Sequence, residues 1–570
     1  MRKWLAVLLS ATMLLGLVAC GGDGEVSSSP ASVAGEVETT TTEGDALTTT
    51  SRRGPTSKTT DTTASTDTKR PNGDAGTSSG SSSSRPAVTD WEKPVTYNTA
   101  IVYNEKHSSY DAEAEKMRLS IVNSKSVVGP SEVGNTYYVS PKGDDANDGL
   151  TPSTAWQTLE KLLLTGKFKT GDVVLFERNA VYRGYIPVVN GVSYGAYGVG
   201  AKPAIYGSAR NYADPNLWEK TDRENVWRVK VGKSTPDVGN IVFDHGKVCA
   251  SDGRQIENTL TKDFDFIHDP AHGYVYLYLA KGNPGSLYSD IEVCAKQHIV
   301  TPADKTGSAT DITIDNLCIK YGGAHGIGFG TAENITITNC EIGYIGGSEL
   351  NTTDEFGGVV YCRYGNGIEF WSHATNIVVK NNWIYQCYDA GYTNQGQGAR
   401  HTDLLIKDNL IEYCNYNIEI FGSYVAEDGT IKGLLKNCVY DGNVLRFAGY
   451  GFGTNNRTGS NDSAVSAICY WRSFIPSENV IIRNNVLDTS HRYLLVSAYV
   501  NGQREMAPIV KGNTWIQRDG SKSAVALQVD TNVHGWSNHK KYELPSGDLA
   551  EMTASVKKVD LTPVKILYEG

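Results

Sequence analysis

Glu369 lies in Gly367-Ile-Glu-Phe370, Glu419 lies in Asn417-Ile-Glu-Ile420, and Asp389 follows Tyr388 between them. If each tetrapeptide is a strand, its isoleucine turns to one face and its glutamate to the other. Two carboxyls held at a fixed separation can serve as general acid and base, or as acid and nucleophile, on an acetal bond. The catalytic pair is therefore expected among Glu369, Asp389 and Glu419. Polar and aromatic residues crowd the same stretch. Trp371, Tyr388 and Tyr392 offer rings on which a sugar could stack, and Arg363, Arg400 and His401 offer groups that could orient it. One of the acids is expected against an apolar wall, such as Trp371 or Tyr392, where its proton would be retained. Other chemistries fare worse. Asp354-Glu355 could offer hard oxygen ligands to Ca²⁺, but two adjacent acids without spaced partners make a poor site. His373 and His401 have no cysteine or histidine partners at zinc spacing, so no metal site is expected. No Gly-x-Ser-x-Gly elbow stands near an acid and a histidine in order. Lys380, Lys407 and Arg483 share one outward position, which could hold an acidic glycan or supply a lysine base.

These residues need elements to place them, and an internal repeat supplies those elements. Asp311-Ile-Thr-Ile-Asp-Asn316, Asn334-Ile-Thr-Ile-Thr-Asn339, Asn376-Ile-Val-Val-Lys-Asn381, Asp403-Leu-Leu-Ile-Lys-Asp408 and Asn479-Val-Ile-Ile-Arg-Asn484 align without gaps. Each has Asn or Asp at the first and sixth positions and aliphatics at the second and fourth. A further aliphatic stands at the ninth: Ile319, Ile342, Ile384, Ile411 and Leu487. Alternation of this kind reads as a strand with one buried face. The first two copies begin 23 residues apart, at 311 and 334, too short for a propeller blade. The spacing fits one coil of a β-solenoid, in which equivalent positions stack about 4.8 Å apart. The sixth-position asparagines are expected to stack at a corner and bond along the stack, with Ile319, Ile342, Ile384 and Ile411 as a ladder inside. Glu369 and Glu419 then share a column two coils apart, with Tyr392 expected between them. Three overlong excursions, about 343–365, 424–433 and 446–475, would wall a groove around the acids.

Tyr137-Tyr-Val-Ser-Pro-Lys-Gly-Asp-Asp-Ala-Asn-Asp-Gly149, with Pro152, Trp156 and Thr158-Leu159, resembles the opening segment of secreted right-handed parallel β-helix proteins, the pectate-lyase-like superfamily. Gly171-Asp-Val-Val-Leu-Phe176 and Tyr194-Gly-Ala-Tyr-Gly198 resemble their first coils. The resemblance covers about 137–208 and 310–520. It implies an all-β fold, a right-handed parallel β-helix, and carbohydrate-active relatives. It does not fix a reaction, because the fold hosts hydrolases, lyases, epimerases and binding proteins. Asp144, Asp145 and Asp148 are read as turn formers. The expected organisation is an N-terminal cap with first coils over 96–208, a β-rich insertion over 209–300, the main helix over 301–520, and a C-terminal coil and tail over 521–570.

At the N-terminus, Arg2-Lys3 and an apolar run to Val18 fit a signal peptide, being too short to span a membrane. Leu17-Val-Ala-Cys20 resembles a bacterial lipobox. The resemblance implies cleavage before Cys20, a lipid on its thiol, and an extracellular protein anchored to the bacterial cell membrane. Residues 21–95 are dominated by Thr, Ser, Gly, Asp and Pro, and are expected to form a disordered tether spanning about 45–50 Å. The net charge is −10 and no basic cluster dominates, so a nucleic-acid partner is not expected. Ten cysteines less the anchor leave an odd, scattered set, which is no disulfide framework. The expectation is a monomeric cell-surface protein acting on polysaccharide, foremost a glycoside hydrolase without a cofactor. The alternatives are a lyase on an acidic glycan, with Ca²⁺ as its partner, and a non-catalytic glycan-binding lipoprotein.

Overall fold

The computed structural model describes residues 108–164, 166–253, 259–304, 306–353, 359–396, 398–421, 424–425, 431–456, 465–470, 477–500, 508–518, 525–530 and 539–543. Cys20, the segments 1–20 and 21–95, and Asp354-Glu355 lie outside the described residues.

The chain winds into a right-handed parallel β-helix. Three long sheets run its length, and each coil gives one strand to each. The first sheet holds the repeat: Ala309–Asp315, Ala332–Thr338, Ala374–Lys380, Arg400–Lys407 and Leu434–Asp441 pair in parallel and in register. The second sheet carries the ninth-position ladder. Ile319, Ile342, Ile384, Ile411, Leu445 and Leu487 are direct neighbours, all completely buried, as the alternation predicts. The third sheet stacks Val300–Pro302, Ile327–Phe329, Ile368–Phe370, Ala390–Asn394, Tyr416–Ile420 and Ser466–Tyr470.

Asparagine turns the corners. The first-position Asp311, Asn334, Asn376, Asp403, Asn437 and Asn479 and the sixth-position Asn316, Asn339, Asn381, Asp408 and Asn484 all have φ between 53° and 63°. Asn and Asp tolerate this left-handed conformation better than other side chains. Of the sixth-position residues, Asn381 does bond to Asn339, but Asn339 and Asn484 bond to the fifth-position Asp315 and Asp441. The interior ladder, however, belongs to the seventh position. Asn382, Asn409, Asn443, Asn485 and Asn513 each lie buried. The Oδ1 of Asn409, Asn443, Asn485 and Asn513 takes both the backbone N–H and the Nδ2 of the preceding member at 2.9–3.0 Å.

The open N-terminal end is plugged by Tyr137, Trp156 and Phe168, whose ring centroids lie 4.8–6.2 Å apart. Asp144 and Asp148 sit here as turn formers, each carboxylate accepting the N–H two residues on, whereas Asp145 reaches across to the N–H groups of Gln157 and Thr158 and ties two segments together. Between the strands Ala204–Tyr206 and Val300–Pro302 the chain leaves the helix. It builds antiparallel pairs of Val226–Lys230 with Tyr274–Tyr278 and Val238–Phe243 with Ile291–Ala295, around a separate core that includes Trp218, Phe243, Phe266 and Leu277. At the far end, His539–Glu543 runs antiparallel to Val525–Asp530 on the third sheet.

Candidate functional site

The outer faces of the three sheets differ. The helix Ser108–Val122 packs on the second sheet and covers Trp383, Tyr385 and Leu410. The first sheet turns Lys380 to solvent and leaves Lys407 and Arg483 half-exposed, with Asp441 between the last two. Arg483 pairs with Asp441 at 3.0 Å. This basic row is a solvated face. The second sheet's outer face also buries charges, Lys320 with Glu341 and Arg446 with Glu412 and Asp488, each paired with the other sign. The third sheet buries two glutamates in one column.

Its central column reads Gly328, Glu369, Thr393, Glu419, Cys469, each residue the direct neighbour of the next. Glu369 and Glu419 therefore stand two rungs apart, about 9–10 Å at strand spacing. Both are buried, at 1% and 2% exposure. Glu369 is held from several sides. Asn366 Nδ2 donates to Oε2 at 2.8 Å and Gln395 Nε2 donates to Oε1 at 3.2 Å. His325 Nε2 stands 2.6 Å from Oε2, with its N–H turned off the straight line to the oxygen. Thr393 Oγ1 donates to Glu419 Oε2 at 3.2 Å. Asp389, also buried, lies at the turn ahead of the strand Ala390–Asn394, displaced along the strand direction from the glutamate column.

The walls come from the insertion and the excursions. The hairpin Ser348–Thr353 with Val359–Tyr364 is locked to the insertion: Asp237 Oδ2 accepts the N–H of Glu349 at 2.8 Å, and Gly239 packs against Ser348, where a Cβ would stand 2.4 Å from its nitrogen. On another side the short helix Phe452–Asn455 lies over the turn at Tyr388. There Phe452 N–H reaches Gln386 at 2.9 Å and Thr454 reaches Asn415 at 3.1 Å.

Three expected substrate contacts are corrected. Tyr392 does not stand between the glutamates; Thr393 does. Tyr392 pairs with Ile368 and Ile418 in the inner column and is completely buried in the main core. His401 also points inward, between Ala374 and Leu435, with no exposure. Burial, helped by the nearby His373, pushes its pKa down to about 3 and keeps it neutral. Arg363 is a strut. It contacts Asp252 at 2.6 Å, Glu349 at 3.0 Å and Asp237 at 3.7 Å, tying the hairpin to the insertion. The remaining expected residues stay near the column by register. Trp371 is half-buried one residue beyond Ile368–Phe370, Arg400 is exposed at the corner into the first sheet, and Tyr388 is buried beside Asp389. The spacing of the acids did not point to His325, Asn366 or His298. Aligning Gly326-Ile-Gly-Phe329 with Gly367-Ile-Glu-Phe370 would have brought out the first two, because it sets His325 beside Asn366.

No family model and no curated protein matches the chain. Among solved structures it is similar to the complex of XylC with xylose, at 12% identity and a TM-score of 0.40, covering 69% of this chain and 72% of that one. It is similar to pectate lyase Pel9A at 10% identity and a TM-score of 0.27, covering 72% and 81%. It is similar to the family 28 exopolygalacturonase of Yersinia enterocolitica at 11% identity and a TM-score of 0.31, covering 70% and 67%. At these scores none of them bears on what this chain does.

Proposed function

We propose that this protein is a polysaccharide-active glycoside hydrolase whose catalytic carboxyls lie on the walled outer face of the third sheet. The observation that carries the reading is the column Glu369–Thr393–Glu419: two carboxyls, buried and fixed by donors, two rungs apart. Inverting glycosidases need about 6.5–9.5 Å between their carboxyls to admit a water, and retaining ones about 5–5.5 Å. A two-rung separation suits inversion. Glu369 already accepts N–H groups on both oxygens, which fits the acceptor that draws a proton from the attacking water. Glu419 is then the proton donor to the leaving oxygen. Water adds to the anomeric carbon, the glycosidic bond breaks toward the leaving oxygen, and that oxygen takes the proton of Glu419. Asp389 is the alternative partner of either glutamate. Trp371 is the proposed sugar-stacking ring and Arg400 an orienting group at the rim; Tyr388, buried under Phe452, offers no free ring face and supports the turn at Asp389 instead. Cys20 is the proposed lipid anchor and 21–95 the tether of a monomeric, extracellular protein.

The test is a panel of xylans, galactans, arabinans and polyuronates incubated with the protein, following reducing ends and ultraviolet absorbance together. Reducing ends alone support hydrolysis. Both signals mean a lyase, and binding without either means a glycan-binding protein. Glu369→Gln and Glu419→Gln should each lower turnover by at least about 10³-fold, from the weight of paired acid–base groups. Normal turnover in both, and in Asp389→Asn, would remove the site from this face. Cys20→Ser should release the protein from the membrane fraction.

A further inference from the structure

We propose that His325 is the positioning residue of Glu369: its imidazole is locked with Nε2 against one carboxylate oxygen and holds that side chain in place. The proposal rests on the reading of Glu369 as the base. It stands on geometry that the pair of acids does not require.

The ring orientation is set from behind. Asn366 N–H donates to His325 Nδ1 at 3.0 Å, so a neutral ring carries its proton on Nε2. That nitrogen is 2.6 Å from Glu369 Oε2. Asn366 also gives Nδ2 to the same oxygen, while its Oδ1 accepts Ala390 N–H at 2.7 Å. One asparagine thus fixes both members of the pair and is itself fixed to the next rung. The ring plane is set from the sides. His298 and Tyr364 lie edge-on to it, with centroids 4.7 Å and 5.0 Å away. Gly328 makes room for this packing: it occupies the rung before Glu369, and a Cβ there would stand 2.6 Å from His298 Nδ1. Burial and the neighbouring His325 and Lys296 push the His298 pKa down to about 3, so the imidazole beside His325 is neutral. An imidazole held on three sides and buried to 2% exposure cannot follow a moving carboxylate. It can hold one still. A positioned base gains rate because the reacting atoms need not search.

The test uses the full chain and two readouts. On the polysaccharide that the panel shows to be hydrolysed, His325→Ala should lower kcat by about 10²-fold with KM within about twofold of the parent. His325→Gln, which keeps an N–H donor, should recover part of the loss. Thermal unfolding of both variants shows that the fold is intact. In protein labelled with ¹⁵N-histidine, with His325 assigned from the His325→Gln spectrum, the ring should show a protonated Nε2 and a bare Nδ1. Glu369→Gln should shift the Nε2–H resonance. If Glu369→Gln is inactive but His325→Ala keeps parental kcat, the positioning role falls and the acid pair stands. A ring protonated at Nδ1 alone overturns the positioning role without any assay. If Glu369→Gln is fully active, the acid-pair reading itself falls.

Discussion

At the scale of single residues, the polar side chains inside this solenoid carry a pH signature. His401 sits in an inner column between Ala374 and Leu435. Its pKa is held down to about 3 in the folded protein, against about 6.5 when unfolded. The folded state therefore binds fewer protons, and stability is lost as the pH falls from about 6.5 toward 3. His401→Leu, matching Leu435 below it, should be more stable than the parent at pH 5 by about 2 kcal/mol, the amount this linkage gives over that interval. The difference should shrink toward zero above pH 7. Urea midpoints at pH 5 and pH 7.5 check this, and an equal shift at both would point to packing alone. The same residue shows what a sequence hides. His401 opens the polar stretch of a repeat and looks like a groove residue, but the strand Arg400–Lys407 begins earlier than the aliphatic pattern does, and the extra turn of alternation carries His401 inward. Tyr392 was misplaced for a similar reason. Its strand puts Tyr where the neighbouring rungs put Ile368 and Ile418, so residue type suggested an outward ring and only the register shows an inward one.

Among the elements, the corners decide the solenoid. Asn/Asp at the first and sixth positions is readable in sequence, because a left-handed corner restricts side-chain choice. The seventh-position ladder is harder to read, since Asn381-Asn382 and Asn484-Asn485 each offer two asparagines. The positive φ of the first member turns it out and sends the second in. Asn409 shows how much that second asparagine holds. It accepts Asn382 N–H at 3.0 Å and donates to Val379 O at 2.9 Å and Asn443 Oδ1 at 2.9 Å. Asn409→Leu would leave the buried Asn382 N–H without a partner, at about 1–3 kcal/mol, and take one bond each from Val379 O and Asn443 Oδ1, at about 1 kcal/mol apiece. A loss of about 3–5 kcal/mol is expected, read from urea unfolding. The outer ladder predicts the opposite sign. Asn376 donates to Asn334 and Asn334 to Asp311; Asn479 donates to Asn437 and Asn437 to Asp403. Asp403 has no N–H to give to Asn376, so the chain of bonds stops there. Asp403→Asn should join the two runs and raise stability by about 0.5 kcal/mol, a surface hydrogen bond's worth.

The whole molecule poses a different problem, because coils in a solenoid touch only their neighbours and the ends can fray independently. Here the helix Ser108–Val122 crosses several coils at once. Near its start, Asp111 accepts from Arg446 and, at 2.8 Å and 3.2 Å, from Arg518. Both arginines also contact Asp488, at 3.2 Å and 2.6 Å, and Arg446 contacts Glu412 at 3.3 Å. Past its end, Ser124 accepts from Asn316 at 3.0 Å and from Lys202 at 2.9 Å. Between them, Arg118 lies 5.1 Å over the ring of Trp383. The lengths agree. Along the second sheet Lys320, Gly343, Tyr385, Glu412 and Arg446 are successive neighbours, four steps of about 4.8 Å, or about 19 Å. The helical residues from Asp111 to Val122 rise about 17 Å, and Asn123-Ser124 cover the remainder. The helix is a splint whose two ends grip coils that never touch each other. Cutting one grip should therefore change cooperativity as well as stability. Asp111→Ala leaves Arg446 and Arg518 sharing the remaining acids, and should cost about 3 kcal/mol, as loss of one partner from a buried charge cluster does. It should also lower the urea m-value, as the C-terminal coils begin to unfold ahead of the rest. Hydrogen exchange separates the two effects: protection should fall first in Val486–Ser490 and Thr514–Ile516, while Ile319 and Ile342 keep theirs. A uniform loss of protection with an unchanged m-value would mean that the coils are coupled without the splint.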